Sequence, residues 1–294
     1  MSSLNFTIKE EHEGYKLSDY LKHEIGLSSR IIRKSLKEQR VIVNNEVKRA
    51  RYALVPGDKL VVKMPDNETQ DIEPENIPID VVYEDEDILV VNKPPFMVVH
   101  PTKSKHSGTL ANALTYYFRS RGDRTIIRLV NRLDRDTSGL VIIAKSQFAH
   151  MAMAKKMEKD EIEKTYITLV DGCLEGSGTI NEPIGRPTEE SLMRGVMEGG
   201  QNAVTHYEVL ESSSHASKVK VILETGRCHQ IRVHMKHIGH PIVGDTLYFK
   251  ESNIINRQAL HAYRLRFNNI RDNSPIEIIA NIPEDINSAM KIIN

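Results

Sequence analysis

The stretch Arg128 to Lys145 reads RLVNRLDRDTSGLVIIAK and sets Arg132, Asp134, Arg135, Asp136, Thr137, Ser138 and Gly139 between two apolar, strand-like segments. Asp136-Thr137-Ser138-Gly139 is good turn material, and Arg132 with Asp134 is compatible with an ordinary surface pair. Any four-residue piece of the stretch is therefore weak on its own. Its concentration of charge at a strand junction is what suggests chemistry.

Working outward, the 294-residue chain exceeds one average domain, which favours a large core with a smaller module. No apolar stretch approaches the roughly 18 residues of a membrane span, and an N-terminus carrying Lys9, Glu10, Glu11 and Glu13 resembles neither a signal nor a transit peptide. A cytoplasmic protein is expected. Two cysteines, Cys173 and Cys228, make no disulfide framework and fit a reducing compartment.

The formal net charge of zero conceals an uneven distribution. Residues 1 to 64 hold thirteen Lys/Arg against eight Asp/Glu, residues 65 to 90 hold none against ten, and the remainder holds 27 against 22. The differences are +5, −10 and +5, so an acidic segment masks two basic parts. The expected organisation is a small N-terminal module over 1–64, an acidic linker over 65–78 and a large domain over 79–294.

In the N-terminal part, Leu17, Tyr20 and Leu21 mark an amphipathic helix, and a second helix begins at Ser28 or Ser29 as N-cap. Arg30, Arg33, Lys34 and Lys37 follow the i, i+3, i+4, i+7 pattern, which places four cations on one helical face while Ile32 and Leu36 point elsewhere. Val41-Ile42-Val43, Asn44-Asn45 and Val47 read as a hairpin whose asparagines tolerate positive φ, followed by Lys48, Arg49 and Arg51. Charged helix faces are commonly just solvated, so spacing alone leaves RNA binding and plain solvation both standing.

Asp87 to Pro95 (DILVVNKPP) reads as a buried strand ending in a proline turn, and residues 109 to 120 as a packed helix. Ala149 to Lys159 is a helix and Glu163 to Val170 a strand in which Tyr166, taken alone, is a core residue. A third cluster, LETGRCHQIRVH from Leu223 to His234, continues through Ile238-Gly239-His240-Pro241 to Gly244-Asp245. Its helix is expected to put Ile231, Met235 and Ile238 on one face and His229, Arg232 and Lys236 on another. Gln258 to Phe267 is a further strand. Cys228, His229, His234, His237 and His240 raise zinc, but their spacing drifts around the helix, Gly239 interrupts it, and neither HExxH nor paired CxxC accompanies it, so no metal is expected.

Taken whole, NRLDRDTSGL with its following apolar run and Ala144-Lys145 closely resembles the active-site motif of the RluA-type pseudouridine synthases, and the first and third clusters resemble that family's other motifs in the same order. The segment LSSRIIRKSLKEQRVIVNNEVKRARYALVPGDKL resembles the small RNA-binding module named after ribosomal protein S-four. The resemblance implies an α+β fold with a large mixed, mainly antiparallel sheet flanked by helices. It implies an enzyme that isomerises uridine to pseudouridine in RNA, without cofactor, redox change or group donor. Asp134 would be the catalytic carboxylate, Arg232 its partner, Tyr166 the aromatic residue stacking on the uracil, and Arg132 the residue bracing RNA around a flipped-out uridine. Asp136 is the alternative acid. Arg30, Arg33, Lys34 and Lys37 would contact phosphates. The expected partner is RNA, ribosomal RNA of the large subunit first, with transfer RNA and a noncatalytic ribosome-assembly role as alternatives, and no membrane, metal or second copy of the chain. A base-excising glycosidase is the other enzyme class, distinguished by release of free uracil. Four positions depart from the family pattern: Phe96 and Phe249 where glycine is usual, Asn131 where histidine often precedes Arg-Leu-Asp, and Cys228 where threonine is frequent.

Overall fold

A computed structural model describes residues 3–27, 29–63, 70–102, 105–123 and 125–293. The N-terminal part contains β1 (Ser3–Thr7), α1 (Leu17–His23), α2 (Ser29–Lys37), β2 (Val41–Val43), β3 (Glu46–Val47) and β4 (Lys59–Lys63). The four strands form one sheet in the order β1-β4-β2-β3, all antiparallel. Asn44 and Asn45 turn the β2–β3 hairpin at φ 50 and 65, the left-handed region that asparagine tolerates. Leu17, Tyr20 and Leu21 of α1 are buried against Val41, Val43, Leu60 and Val62. β1 carried no helical or strand signal strong enough to be expected; its burial alternates irregularly, and its pairing to β4 holds it. One alternative N-cap for α2, Ser28, lies outside the described residues.

Residues 70–79 contain no helix or strand, yet they are not a loose tether. Ile72 is buried in the large core, the Gln70 side chain both accepts from the Ile127 amide and donates to its carbonyl, and the Glu75 carboxylate accepts from Gly108 N–H. Phe148, from the large part of the chain, is buried in the N-terminal core, and Ile270 packs there as well.

The large part begins with the hairpin β5 (Asp80–Glu84) and β6 (Ile88–Lys93), then α3 (Leu110–Ser120), β7 (Arg128–Leu129), β8 (Ser138–Ala144), α4 (Gln147–Glu158) and β9 (Glu163–Asp171). It continues through β10 (Ser177–Asn181), β11 (Ile184–Gly185), β12 (Gly195–Val196), β13 (Val204–Ser212), β14 (Ala216–Leu223), α5 (Gln230–His237), β15 (Leu260–Asn268), β16 (Pro275–Ile279) and α6 (Glu284–Ile293). Among the described residues, ten strands form a mixed sheet with the path β10-β13-β14-β9-β15-β8-β6-β5, β16 pairing with β15 and β7 with β8. Of these described strands only β15 and β8 run parallel, so the expected α+β architecture with a mainly antiparallel sheet is what the chain adopts.

The apolar runs of β6 and β8 serve two cores at once. Leu89, Val91, Val141 and Ile143 face a cluster that includes Leu110 and Leu114 of α3. Ile88, Val90, Leu140 and Ile142 face Met153 of α4. A strand buried on both sides needs a near-continuous apolar sequence, which is why LVIIA does not alternate. Helix starts follow local chemistry: Thr109 and Asn112 form a reciprocal capping box for α3, and the Ser146 hydroxyl accepts from Ala149 N–H at the start of α4.

Candidate active site

The edge of β8 changes partner along its length. β15 pairs with Ser138 and Gly139, whereas β7 pairs with Ile143 and Ala144. Between these two partners the edge would carry orphaned groups, and Asn131 fills the gap: its amide donates to Leu140 O at 3.1 Å and accepts from Ile142 N–H at 2.7 Å. The loop 130–137 therefore leaves the sheet at a switch in pairing, with Asp134 on it. Gly139 is required where the loop rejoins β8, because its φ is +114 and a Cβ would lie 2.2 Å from the Ala262 carbonyl oxygen of β15.

Two buried cations grip this loop by its backbone. Lys93, at the end of β6, donates from Nζ to the carbonyls of Pro94 (2.8 Å), Met97 (3.0 Å) and Arg135 (3.0 Å). Burial pushes its pKa down to about 7, an effect that Arg257 reinforces and the Asp136 and Asp134 carboxylates oppose. Arg257 donates to Asp136 O at 3.1 Å while its other nitrogens hold Asp285 of α6 at 2.6 and 2.9 Å. Neither cation was singled out from sequence. The available signal was a lysine closing an apolar run before Pro94-Pro95, whereas Arg257 lies in a segment with no motif.

Asp134 is partly exposed and opens onto a pocket of about 70 Å³ lined by Arg132, Tyr166, Leu223, Arg227, His229 and Arg232, among others. Arg232 Nη1 donates to Asp134 Oδ2 at 3.0 Å, across 98 residues of sequence. The rest of the guanidinium is fixed by Asp245, fully buried, in a two-point pair of 2.7 and 2.8 Å. Asp245 Oδ1 also accepts from the amides of Leu247 and Tyr248. Burial opposes the charge on Arg232, but the Asp245 and Asp134 carboxylates outweigh it and raise its pKa. The Tyr248 ring lies under the guanidinium at 4.9 Å.

The structure brings Asp134, Arg232, Tyr166 and Arg132 to one pocket. Tyr166 sits on β9, only 9% exposed; burial raises the pKa of its phenol and the Asp134 charge adds to this, so it presents an uncharged aromatic wall. Arg132 is exposed at the rim and has no ion-pair partner among the described residues. Asp136 is elsewhere: its carboxylate is held by the neighbouring Arg135 guanidinium at 2.7 and 2.9 Å and does not line the pocket. Arg30, Arg33, Lys34 and Lys37 are exposed along α2, away from Ile32, which is buried.

On α5 Gln230 to Met235 are all buried, Ile231 and Met235 in the large core and Arg232 against Asp134 and Asp245, while Lys236 and His237 at its C-terminal end are exposed. His229 precedes the helix, in a left-handed conformation. His234 contacts Thr205 Oγ1 and Glu182 O, and His240 contacts Asp171 O, so these histidines serve backbone and hydroxyl partners. Phe96 takes φ 62, the conformation that glycine adopts without strain, while staying half exposed.

A model of the family described as RNA pseudouridylate synthase matches residues 87–237. An uncharacterized RNA pseudouridine synthase of Bacillus subtilis strain 168 is 38% identical over 266 residues, covering 90% of this chain and 88% of its own. The chain belongs to the RluA-type RNA pseudouridine synthases. Ribosomal large subunit pseudouridine synthase D of Escherichia coli strain K12 is 36% identical over 307 aligned positions, covering 99% of this synthase and 94% of the relative. Among solved structures, human RNA pseudouridylate synthase domain containing 1 superposes with a TM-score of 0.58 at 28% identity, covering 73% of this synthase and 86% of that chain. No described helix of the synthase is long and apolar enough to cross a membrane.

Proposed function

We propose that this synthase isomerises uridine in large-subunit ribosomal RNA with Asp134 as its catalytic carboxylate. The observation that carries the assignment is the asymmetry of that carboxylate. Oδ2 is held by Arg232 at 3.0 Å, while no hydrogen bond among the described residues reaches Oδ1, on a side chain that lines the pocket with Tyr166.

The reaction breaks the bond from ribose C1′ to uracil N1, turns the base, and forms a bond from C1′ to C5; the C5 proton departs and N1 gains one. Oδ1 is free either to attack the sugar or to remove a sugar proton, and both schemes need the carboxylate aimed and ionised. Arg232, itself immobilised by Asp245, supplies the aim. The neutral Tyr166 ring offers a face on which uracil can rest while it turns, without competing for a charge. A uridine within a helix must be flipped to reach this pocket, and Arg132, exposed at the rim, would brace the strand it leaves.

The ribosomal assignment is supported by the Escherichia coli relative, a ribosomal large subunit pseudouridine synthase whose length the chain matches almost throughout. The N-terminal module, over 1–64, would anchor the RNA: α2 presents four exposed cations, and no carboxylate among the described residues pairs with them.

Pseudouridine mapping of ribosomal and transfer RNA from cells lacking the protein, complemented with wild type or Asp134→Asn, tests this reading. Particular large-subunit sites should vanish and return only with wild type. Return with Asp134→Asn would remove the aspartate from its role, and loss confined to transfer RNA would change the substrate.

A further inference from the structure

One pocket residue has no assigned part in this chemistry although the structure spends strain on placing it. His229 lies at φ 57 and ψ 20, a left-handed conformation that disfavours histidine. It occupies the N-cap of α5 but its side chain makes no capping hydrogen bond, so entry into the helix does not account for the residue. Its ring instead lies between Tyr248 and Asp134, with Nδ1 2.7 Å from Tyr248 Oη and Nε2 3.7 Å from Asp134 Oδ2.

The hydrogen bonds around Tyr248 have a direction. The backbone amide of Arg194, just before β12, can only donate, and it lies 2.8 Å from Tyr248 Oη. The hydroxyl oxygen thus accepts from Arg194, and among the described residues the one acceptor within reach of its proton is His229 Nδ1; the opposite tautomer would leave that proton unpaired and turn a bare Nε2 toward the Asp134 carboxylate. With Nδ1 accepting, the proton of a neutral imidazole resides on Nε2, the nitrogen nearest Asp134. Burial lowers the pKa of His229 most; the charges facing it are Asp134 of the catalytic loop and Asp245, which oppose that shift, and Arg232 of α5 and Arg194, which add to it. The ring is therefore uncharged at neutral pH and acts on Asp134 as a hydrogen-bond donor, not as a counter-ion.

We propose that His229 is a positioning residue for Asp134: Tyr248 locks it in the Nε2–H tautomer, and on substrate closure that N–H joins Arg232 on Oδ2, reserving Oδ1 for the reaction. The separation of 3.7 Å shortens when the pocket fills, as catalytic hydrogen bonds do between free and bound states. The inference rests on Asp134 being the catalytic carboxylate.

Single-turnover conversion of an unmodified large-subunit ribosomal RNA transcript is the test, with Asp134→Asn, His229→Asn, His229→Gln and Tyr248→Phe run beside wild type. Asparagine suits left-handed backbone and so keeps the fold, which thermal melting verifies, but its amide reaches only as far as Nδ1. Glutamine restores an N–H at the reach of Nε2. His229→Asn should lower the maximal rate by about 10- to 100-fold with little change in half-saturating enzyme concentration, the scale of one lost hydrogen bond to a charged group. His229→Gln should recover much of that rate, and Tyr248→Phe, which keeps the ring under Arg232, should lose less than His229→Asn. A wild-type rate for His229→Asn, equal losses for Asn and Gln, or a change confined to half-saturation overturns the proposal while an inactive Asp134→Asn leaves the aspartate in place. Activity in Asp134→Asn overturns both.

Discussion

The loop that carries Asp134 and the cationic face of α2 use charge in opposite ways. The charges that support Asp134 from behind are buried and mutually satisfied: the Arg232 side chain is 7% exposed and that of Asp245 is 0% exposed, and each holds the other in a two-point pair. On α2 the four basic side chains are exposed, and no described carboxylate pairs with them. Buried pairing contributes little net stability but fixes direction, since a broken partner leaves an uncompensated charge. Exposed, unpaired cations fix no direction and keep their full attraction for phosphate, at the cost of screening by salt. The first region should therefore respond to substitution through rate and folding, and the second through affinity and ionic strength.

The largest effect is expected where a buried cation has no carboxylate in hydrogen-bond contact. Lys93 has an ordinary pKa of 10.5 and one of about 7 in the fold, chiefly because of burial. Below pH 7 both folded and unfolded chains carry its proton and the cost of burying the charge is constant. Between about 7 and 10.5 only the unfolded chain carries it, so stability conferred through this group rises with pH, by up to about 1.4 kcal/mol per pH unit. Urea denaturation of wild type and Lys93→Met across pH 6 to 10 should show a stability difference that moves in favour of wild type as pH rises. A difference independent of pH would mean that Lys93 does not lose its proton there and that its three carbonyl acceptors hold the charged form.

Arg232→Lys should come next. A lysine keeps the charge but loses the fork that binds Asp245 and Asp134 together, so the Asp134 carboxylate loses its aim and Asp245 is left buried with a poorer partner. The turnover rate should fall by on the order of 100-fold, about 3 kcal/mol, with a lowered melting temperature. Wild-type turnover in a folded Arg232→Lys protein would show that charge alone, without fixed direction, is enough at this site, and the contrast with α2 would lose its basis.

The same contrast explains what was legible in the sequence. The α2 face is a local pattern: four residues at helical spacing announce themselves, as do the Asn44-Asn45 turn and the apolar run of β8. The loop's supports are long-range. Arg232 meets Asp134 across 98 residues, Lys93 meets Arg135 across 42, and Arg257 meets Asp136 across 121. Resemblance to a family suggested the first of these; periodicity could suggest none. Asp245 stood in a quoted motif without a role, because a carboxylate that clamps an arginine looks the same in sequence as one that caps a turn. The burial of Arg232 was hidden for a related reason: helical spacing separates it from Ile231 and Met235 but gives no sign that Asp245 and Asp134 await its guanidinium. Asn131 shows the converse, a departure from the family pattern whose amide completes the β8 edge by geometry that no spacing rule encodes.

The smallest effect is expected on α2, and it should be of a different kind. Arg33→Glu with Lys34→Glu changes two exposed side chains, neither of which supports the N-terminal core. The melting temperature should hold within a few degrees, because surface substitutions are usually worth less than about 0.5 kcal/mol. Turnover at saturating RNA should also hold, since nothing at the pocket is altered. Affinity should fall by about 10-fold near physiological salt, and the slope of log affinity against log salt should flatten by about 1.5, two phosphate contacts at 0.7 to 0.9 each. Filter binding of a ribosomal RNA fragment at several salt concentrations measures both. An unchanged slope would assign α2 to solvent instead of phosphate, whereas a fall in turnover at saturation would mean that the two regions are coupled, through Phe148 and Ile270 where their cores meet.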